Sequence, residues 1–284
     1  MTDVSDVAQA HEVIIEDLEY GRAGDTPLLA RLYRPRGVTG FASMVDVHGG
    51  AWVSNDRLQN AAIDQVIAAS GTAVLALDFR LAPASSYPAS VADINLGIRW
   101  LKANVGRWGG DVTRVGGLGG SSGGHQLWLN VLRPRDPRYT AHKLTGADDV
   151  DASLGFVVVC WPISDPVARY NMARASGNER LVKNHDAFFL NEATMAEANP
   201  QTILESGEAR SLPPALLIQG TADASVTPDM ADRFVAAYTK AGGRITLRKF
   251  EGEPHTFITQ NPTKPASIEA LRVITDFICA QTRV

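Results

Sequence analysis

Residues 116–125 read Gly116-Gly117-Leu118-Gly119-Gly120-Ser121-Ser122-Gly123-Gly124-His125, and they hold six of the 25 glycines in this chain of 284 residues. A candidate strand at residues 114–118 leads into this stretch, and a helical pattern at residues 124–132 begins at its end. The pattern G-x-S-x-G between a strand and a helix is typical of a nucleophile elbow, in which a serine stands on a strained turn at the carboxyl end of a sheet. The small neighbours let strand and helix approach each other closely.

This pattern fits the stretch in two frames. Gly119-x-Ser121-x-Gly123 makes Ser121 the nucleophile, whereas Gly120-x-Ser122-x-Gly124 makes it Ser122. A strand that ends at Leu118 favours Ser121, because the turn then follows at once and the backbone N–H of Ser122 is free to bind an oxyanion. A phosphate-binding loop is the competing interpretation, but the stretch lacks the G-x-x-x-x-G-K-[ST] pattern.

Strands and helices alternate on both sides of this turn. β-branched apolar runs predict eight strands, at residues 11–18, 28–34, 43–47, 73–78, 114–118, 154–160, 215–219 and 244–250. Apolar spacings of three and four predict helices at residues 58–70, 89–105, 124–132, 228–241 and 266–282. The middle strands are nearly continuously apolar, which is typical of a parallel sheet, while the first two suit an antiparallel edge. The expected fold class is therefore α/β: a mostly parallel eight-stranded sheet with helices on both faces.

One segment is too long for a connection between strands. Residues 161–214 contain helical patterns near residues 167–175, 181–188 and 192–198. Long ordered insertions are usually functional, so we interpret this segment as an inserted helical cap, with an elaborated surface loop as the alternative. Residues 133–151 are polar and rich in proline, which predicts a surface loop. We expect one domain over residues 1–284, with the cap at 161–214 and a short N-terminal segment at 1–27.

Composition excludes several classes of protein. Hydrophobic residues make up 45% and charged residues 20%, so the chain is too apolar for disorder. A net charge of −4 gives no electrostatic reason to expect nucleic acid or an anionic membrane surface as a partner. The acidic N-terminus lacks a signal-peptide core and no apolar run reaches the length of a membrane span, so the expected location is the cytoplasm. Cys160 and Cys279 lie in apolar runs and predict buried reduced thiols, and no residue cluster suggests a metal or a cofactor.

A serine nucleophile needs a base and an acid that orients the base. Asp223 follows directly after the strand at residues 215–219, and His255 follows the strand at 244–250. This order, Ser121, then Asp223, then His255, is that of a hydrolase triad on an α/β sheet. Asp229 and Asp232 lie in the next predicted helix, where a favourable interaction with the helix dipole explains them better.

A second glycine cluster follows an earlier strand. It reads Val47-His48-Gly49-Gly50-Ala51-Trp52. We predict that the backbone N–H groups of Gly49 and Gly50, with that of Ser122, form an oxyanion hole, while His48 braces the turn.

The ordered motifs from Ser43 to the C-terminus resemble the bacterial hormone-sensitive-lipase-like branch of the α/β-hydrolase fold, which contains acetyl esterases and carboxylesterases. The stretches that carry the resemblance are Asp78-Phe79-Arg80-Leu81-Ala82-Pro83, Tyr87-Pro88-Ala89 through Asp93, and Trp108-Gly109-Gly110-Asp111 through Arg114. Two motifs depart from the family pattern: HGGG is HGGAW here, and GDSAGG is GGSSGG. HGG-x-W also occurs in arylformamidase-like members of the fold.

This resemblance implies a serine esterase that acts on a small or medium-chain ester through an acyl-enzyme. An amidase, arylformamidase or carbamate hydrolase would use the same triad, and a binding protein on an inactive scaffold is a third interpretation. The expected partner is thus a small-molecule ester or amide. Val273, Ile274, Phe277 and Ile278 on the last helix suit either the core or the face of a homodimer. The residues predicted to line the substrate pocket are the aromatic ones near the site: Trp52, Trp161, Tyr170, Phe188 and Phe189.

Overall fold

The computed structural model describes residues 11–283. Its eight strands form one sheet in the order β1-β2-β4-β3-β5-β6-β7-β8. The strands are β1 (Val13–Ala23), β2 (Thr26–Pro35), β3 (Phe41–Val47), β4 (Ala73–Leu77), β5 (Gly110–Gly120), β6 (Val157–Cys160), β7 (Ala215–Gly220) and β8 (Ile245–Phe250). The strands β1, β2 and β4 pair antiparallel, and all pairs from β4 through β3 to β8 are parallel. The predicted sheet, including its antiparallel edge, is present.

Strand β5 lies at the centre of this sheet, between β3 and β6. Gly119 pairs with Val47 of β3 and with Val159 of β6. The carboxyl ends of these parallel strands therefore meet at one edge, where the two glycine clusters of the sequence come together. This is the edge at which ligands bind in open α/β sheets.

Helices cover both faces of the sheet, as predicted. The helices between or after strands are α1 (Ala61–Ala69), α2 (Ala89–Asn104), α3 (Ser122–Leu132), α8 (Pro228–Lys240), α9 (Phe257–Gln260) and α10 (Pro265–Thr282). Apolar residues of α2, α3 and α8 pack in one hydrophobic core, and those of α1, α9 and α10 pack in a second core. Ile274 and Ile278 are buried in that second core, which accounts for their apolar character.

Four helices lie between β6 and β7: α4 (Pro166–Ala175), α5 (Glu179–Phe189), α6 (Glu192–Glu197) and α7 (Pro200–Glu205). The first three match the helical patterns in the sequence. Helix α7 was not predicted. Asn199 begins it by accepting hydrogen bonds from the backbone N–H groups of Gln201 and Thr202.

Two expectations on individual residues need correction. Cys279 is exposed at the end of α10, so only Cys160 is a buried thiol; both are free. The loop at residues 133–151 is mostly exposed, but Tyr139 is fully buried in it and exchanges a hydrogen bond of 2.8 Å with Tyr87. Within residues 11–283, we find no helix that combines the length and the apolar character needed to cross a bilayer.

Candidate active site

Ser121 stands alone between strand β5, which ends at Gly120, and helix α3, which begins at Ser122. Its backbone has φ 52° and ψ −120°, a conformation that non-glycine residues rarely adopt and that costs about 1–3 kcal/mol. Close packing around the turn maintains it. A Cβ atom at Gly123 would lie 2.0 Å from the carbonyl oxygen of Val47, so only glycine fits at that position. The local structure is the strained turn that the glycine pattern predicted.

The three residues of the predicted triad lie within hydrogen-bond distance of one another. The Oγ of Ser121 is 3.0 Å from Nε2 of His255, and Nδ1 of His255 is 2.7 Å from Oδ2 of Asp223. With the carboxylate accepting the Nδ1 proton, Nε2 is left to accept the hydroxyl proton of Ser121. Ser121 is 6% exposed and Asp223 3%, so these polar contacts lie largely out of water.

Asp223 is held by its own loop. Its Oδ1 accepts the backbone N–H groups of Ser225 at 2.8 Å and Val226 at 2.9 Å. Its Oδ2 accepts from Nε2 of Gln219 at 3.1 Å, besides the contact with His255. Four donors therefore fix the carboxylate in one orientation.

Ser122 points away from the histidine. Its Oγ is fully buried and accepts the backbone N–H of Trp52 at 3.2 Å. The sequence fits two frames of the elbow pattern, one for each serine. The structure brings Ser121 to His255 and gives Ser122 a contact with the HGG turn. Asp229 and Asp232 lie in α8 and pair with Arg233 and Lys249, outside the site.

The glycine turn after β3 lies against the elbow. A Cβ atom at Gly49 would be 3.3 Å from the Cβ of Ser121, and Gly50 has φ 117°. In the part of the chain that the structure describes, the backbone N–H groups of Gly49, Gly50 and Ser122 donate no hydrogen bond to the protein. Three free donors next to the Ser121 hydroxyl are the arrangement needed for an oxyanion. His48 supports the turn, with Nδ1 at 2.7 Å from the carbonyl oxygen of Gly49 and its ring stacked on Phe79.

A cavity of about 350 Å³ opens onto these residues. Its floor includes Gly49, Gly50, Ser121 and His255, and helices α4 and α5 supply one wall. That wall is polar, since it contains Arg169, Arg180 and Asn184. Such a volume is at the small end of ligand pockets and suits a compact substrate.

Of the five aromatic residues predicted to line the substrate pocket, the structure places one in the cavity wall and four elsewhere. Trp161 lines the cavity. Trp52 is 2% exposed, and its ring stacks on Phe188 at 5.1 Å and meets Phe189 edge-on at 5.2 Å. Tyr170 packs on His185 and hydrogen-bonds Asp186 at the surface of α4 and α5. Trp52, Phe188 and Phe189 belong to the buried core between helix α5 and the HGG turn, where their rings pack on one another.

Two further histidines belong to that aromatic core. Burial lowers the pKa of His125 to about 4 and that of His185 to about 3. Both rings are therefore neutral at neutral pH. Nδ1 of His125 accepts the indole N–H of Trp52 at 3.2 Å, which ties helix α3 to the turn.

Sequence reasoning missed three side chains that shape the site. Gln219 holds Asp223, and Arg169 and Arg180 line the cavity. Gln219 carries a usable signal, because a glutamine inside an apolar strand requires a polar partner near the strand end. The two arginines carry none, since nothing in the sequence separates them from the other arginines of the cap segment.

Comparisons with known proteins are consistent with this geometry. The BD-FAE family model matches residues 31–238. Esterase LipC of Mycobacterium tuberculosis is 31% identical over 201 residues, which are 68% of this chain and 47% of LipC. The probable carboxylic ester hydrolase LipM of the same organism is 28% identical over 232 residues, 80% of this chain and 51% of LipM. The chain thus spans about half the length of these curated relatives.

A solved structure also matches nearly the whole chain. The hyperthermophilic esterase from the archaeon Pyrobaculum calidifontis superposes with a TM-score of 0.78 at 22% identity, covering 98% of this chain and 90% of that one. At this identity the match speaks to the fold alone. It confirms the α/β-hydrolase fold predicted from the strand order and the elbow.

Proposed function

Because this chain belongs to the BD-FAE family of the α/β-hydrolase fold, we propose that it hydrolyses a carboxylic ester of a small molecule through an acyl-enzyme. The observation that carries the proposal is the contact chain from Ser121 Oγ through His255 to Asp223, at 3.0 and 2.7 Å. The names of LipC and LipM as esterases support the same reaction class.

The first half of the reaction uses all three residues. Ser121 Oγ attacks the ester carbonyl carbon while Nε2 of His255 takes the hydroxyl proton. The carbonyl π electrons move to oxygen, and the N–H groups of Gly49, Gly50 and Ser122 bind the resulting oxyanion. Asp223 keeps the ring in the required tautomer and stabilises the imidazolium.

The second half releases both products. The tetrahedral intermediate collapses, the ester C–O bond breaks, and the Nε2 proton of His255 passes to the leaving alkoxide. Water then attacks the acyl carbon while His255 takes one of its protons. The Ser121–acyl bond breaks, His255 returns that proton to Ser121 Oγ, and the acid is released. No metal ion or cofactor takes part in this scheme.

The decisive experiment compares two serine variants on p-nitrophenyl acetate and butyrate. We expect Ser121→Ala to lower kcat by about 1000-fold or more, because both proton transfer and acyl formation are lost. The matched control is Ser122→Ala, which removes a neighbouring hydroxyl that contacts Trp52 and should still label with a fluorophosphonate. Equal rates for the wild type and Ser121→Ala would contradict the proposal. Amides of the same acids, measured alongside, report whether the scissile bond is an ester or an amide.

A further inference from the structure

The charged side chain of Arg169 lies in the wall of the cavity and makes few hydrogen bonds to the protein. The residue is 2% exposed, and its Nε donates to the carbonyl oxygen of Ser225 at 2.8 Å. Its Nη1 is buried and has no hydrogen-bond partner among residues 11–283. The Cζ atom lies 5.9 Å from the ring centre of Trp52, a contact that accommodates the charge but accepts none of the N–H donors. A buried guanidinium with an unused donor is costly, and here that side chain also lines the cavity.

The carboxylate of Asp223 cannot serve as the partner of that donor. Asp223 attracts the guanidinium electrostatically. However, both oxygens of its carboxylate are already occupied, by two backbone N–H groups, by Gln219 and by His255. Burial lowers the pKa of Arg169 to about 10, so the side chain still carries its charge at neutral pH.

Arg180 adds a second positive charge to the same cavity. It is exposed, lies at the start of α5, and lowers the pKa of Arg169 through repulsion. Within the described range, it makes no ion pair with a carboxylate. No aspartate or glutamate of residues 11–283 lines the cavity. Two arginines thus share a cavity of about 350 Å³ with Ser121 and His255, and no carboxylate of residues 11–283 lines it.

We propose that this pocket takes esters that carry a carboxylate in the same small molecule, with the carboxylate bound between Arg169 and Arg180. The inference rests on the proposed esterase function and adds the substrate class. An arginine presents two parallel N–H donors that match the two oxygens of a carboxylate, and such charged hydrogen bonds are stronger than neutral ones. The polar cap wall thereby becomes the element that selects the substrate.

The test uses pairs of esters that differ only in charge. On the acyl side, the monoethyl esters of succinate, glutarate and adipate are compared with the ethyl esters of the corresponding ω-amides. On the alcohol side, 3-acetoxypropanoate is compared with its amide. We expect kcat/KM to be about 10-fold or more higher for the charged member of at least one pair, the gain that one charged hydrogen bond provides.

Two substitutions assign this preference to the arginines. Arg180→Gln should lower the ratio of charged to neutral kcat/KM by roughly 3-fold, since an exposed charge is screened. Arg169→Gln should lower it by about 10-fold or more. Arg169 also holds the loop of Asp223 through Ser225, so its substitution could lower the rate on every substrate. The readout is therefore the ratio of charged to neutral kcat/KM, and a melting curve checks that the variant is folded. Arg174→Gln is the matched control: it lies on α4, outside the cavity, and removes the same charge.

Binding separates this inference from the proposed function. Calorimetry with Ser121→Ala measures the affinity for monoethyl adipate and for its ω-amide without any chemistry. Tighter binding of monoethyl adipate than of its ω-amide, lost when Arg169→Gln is added, would support the carboxylate site even if no ester were hydrolysed. Equal kcat/KM values and equal affinities for every charged and neutral pair would overturn it, while leaving an esterase for neutral substrates intact.

Discussion

Two buried carboxyl groups, one on strand β3 and one on helix α1, predict how stability changes with pH. Asp64 of α1 is fully buried, and neither of its oxygens has a hydrogen-bond partner in the described part of the chain. Asp46 of β3 is 1% exposed and accepts both of its hydrogen bonds from Nδ2 of Asn60, at 2.9 and 3.1 Å. Burial raises the pKa of Asp46 to about 7. Burial and the charge of Asp46 raise the pKa of Asp64 well above its usual value.

The sign of the effect follows from proton counting. In the unfolded chain Asp64 loses its proton near pH 4, whereas in the folded chain it keeps it to a much higher pH. Between these values the native state binds one proton more, so the free energy of unfolding falls by about 1.4 kcal/mol per pH unit. The loss continues at this rate as the pH rises, for as long as Asp64 keeps its proton in the folded chain. The loss is absent below pH 4 and grows as the pH rises.

Asp64→Asn removes this proton linkage with almost no change in shape. We expect urea unfolding to show a gain in stability of the variant over the wild type that increases above pH 5, by up to about 1.4 kcal/mol per pH unit. The exposed Asp148→Asn is the control and should show no such increase. Parallel pH curves for Asp64→Asn and the wild type would refute the reasoning, since they would mean that Asp64 is ionised in the folded chain.

Two further predictions concern the elbow and the acid. Gly123→Ala places a Cβ atom 2.0 Å from the carbonyl oxygen of Val47. We therefore expect the melting temperature to fall by roughly 10 °C or more. The control is Gly155→Ala, whose Cβ would have only ordinary contacts and which should melt nearly as the wild type does. Asp223→Asn should lower kcat by about 10³–10⁴-fold with little change in the circular dichroism spectrum. The reason is that an amide N–H facing Nδ1 forces His255 into the tautomer that cannot take the serine proton. A variant within 10-fold of wild-type kcat would argue against this role of Asp223.

The backbone elements at the site were accessible from the sequence because they depend on local chemistry. A glycine at 123 and a serine at 121 fit few structures other than a tight strand–helix turn, and parallel strands bring their carboxyl ends to one edge. Asp223 and His255 could be named from strand order alone. The sequence favoured Ser121 over Ser122 from a strand ending at Leu118, but β5 continues to Gly120. What separates the two serines in the structure is the contact of Ser121 with His255.

The lining of the cavity could not be predicted in the same way. An aromatic residue in a cap segment can face the substrate or the core, and the choice depends on how α4 and α5 pack. Trp52, Phe188 and Phe189 lie in the core, and Arg169 and Arg180 line the cavity. Those positions are set by tertiary contacts far apart in the chain, on which periodicity within one helix carries no information.

The contacts of Trp52 also limit how this protein can be re-engineered. Its backbone N–H and its indole N–H hold the elbow residue Ser122 and helix α3, and its ring rests on Phe188 of the cap. Replacing residues 161–214 with the insertion of another hydrolase would remove the surface on which the HGG turn rests. Selectivity is therefore better altered by point changes on the cavity side of α4 and α5 than by exchange of the whole segment.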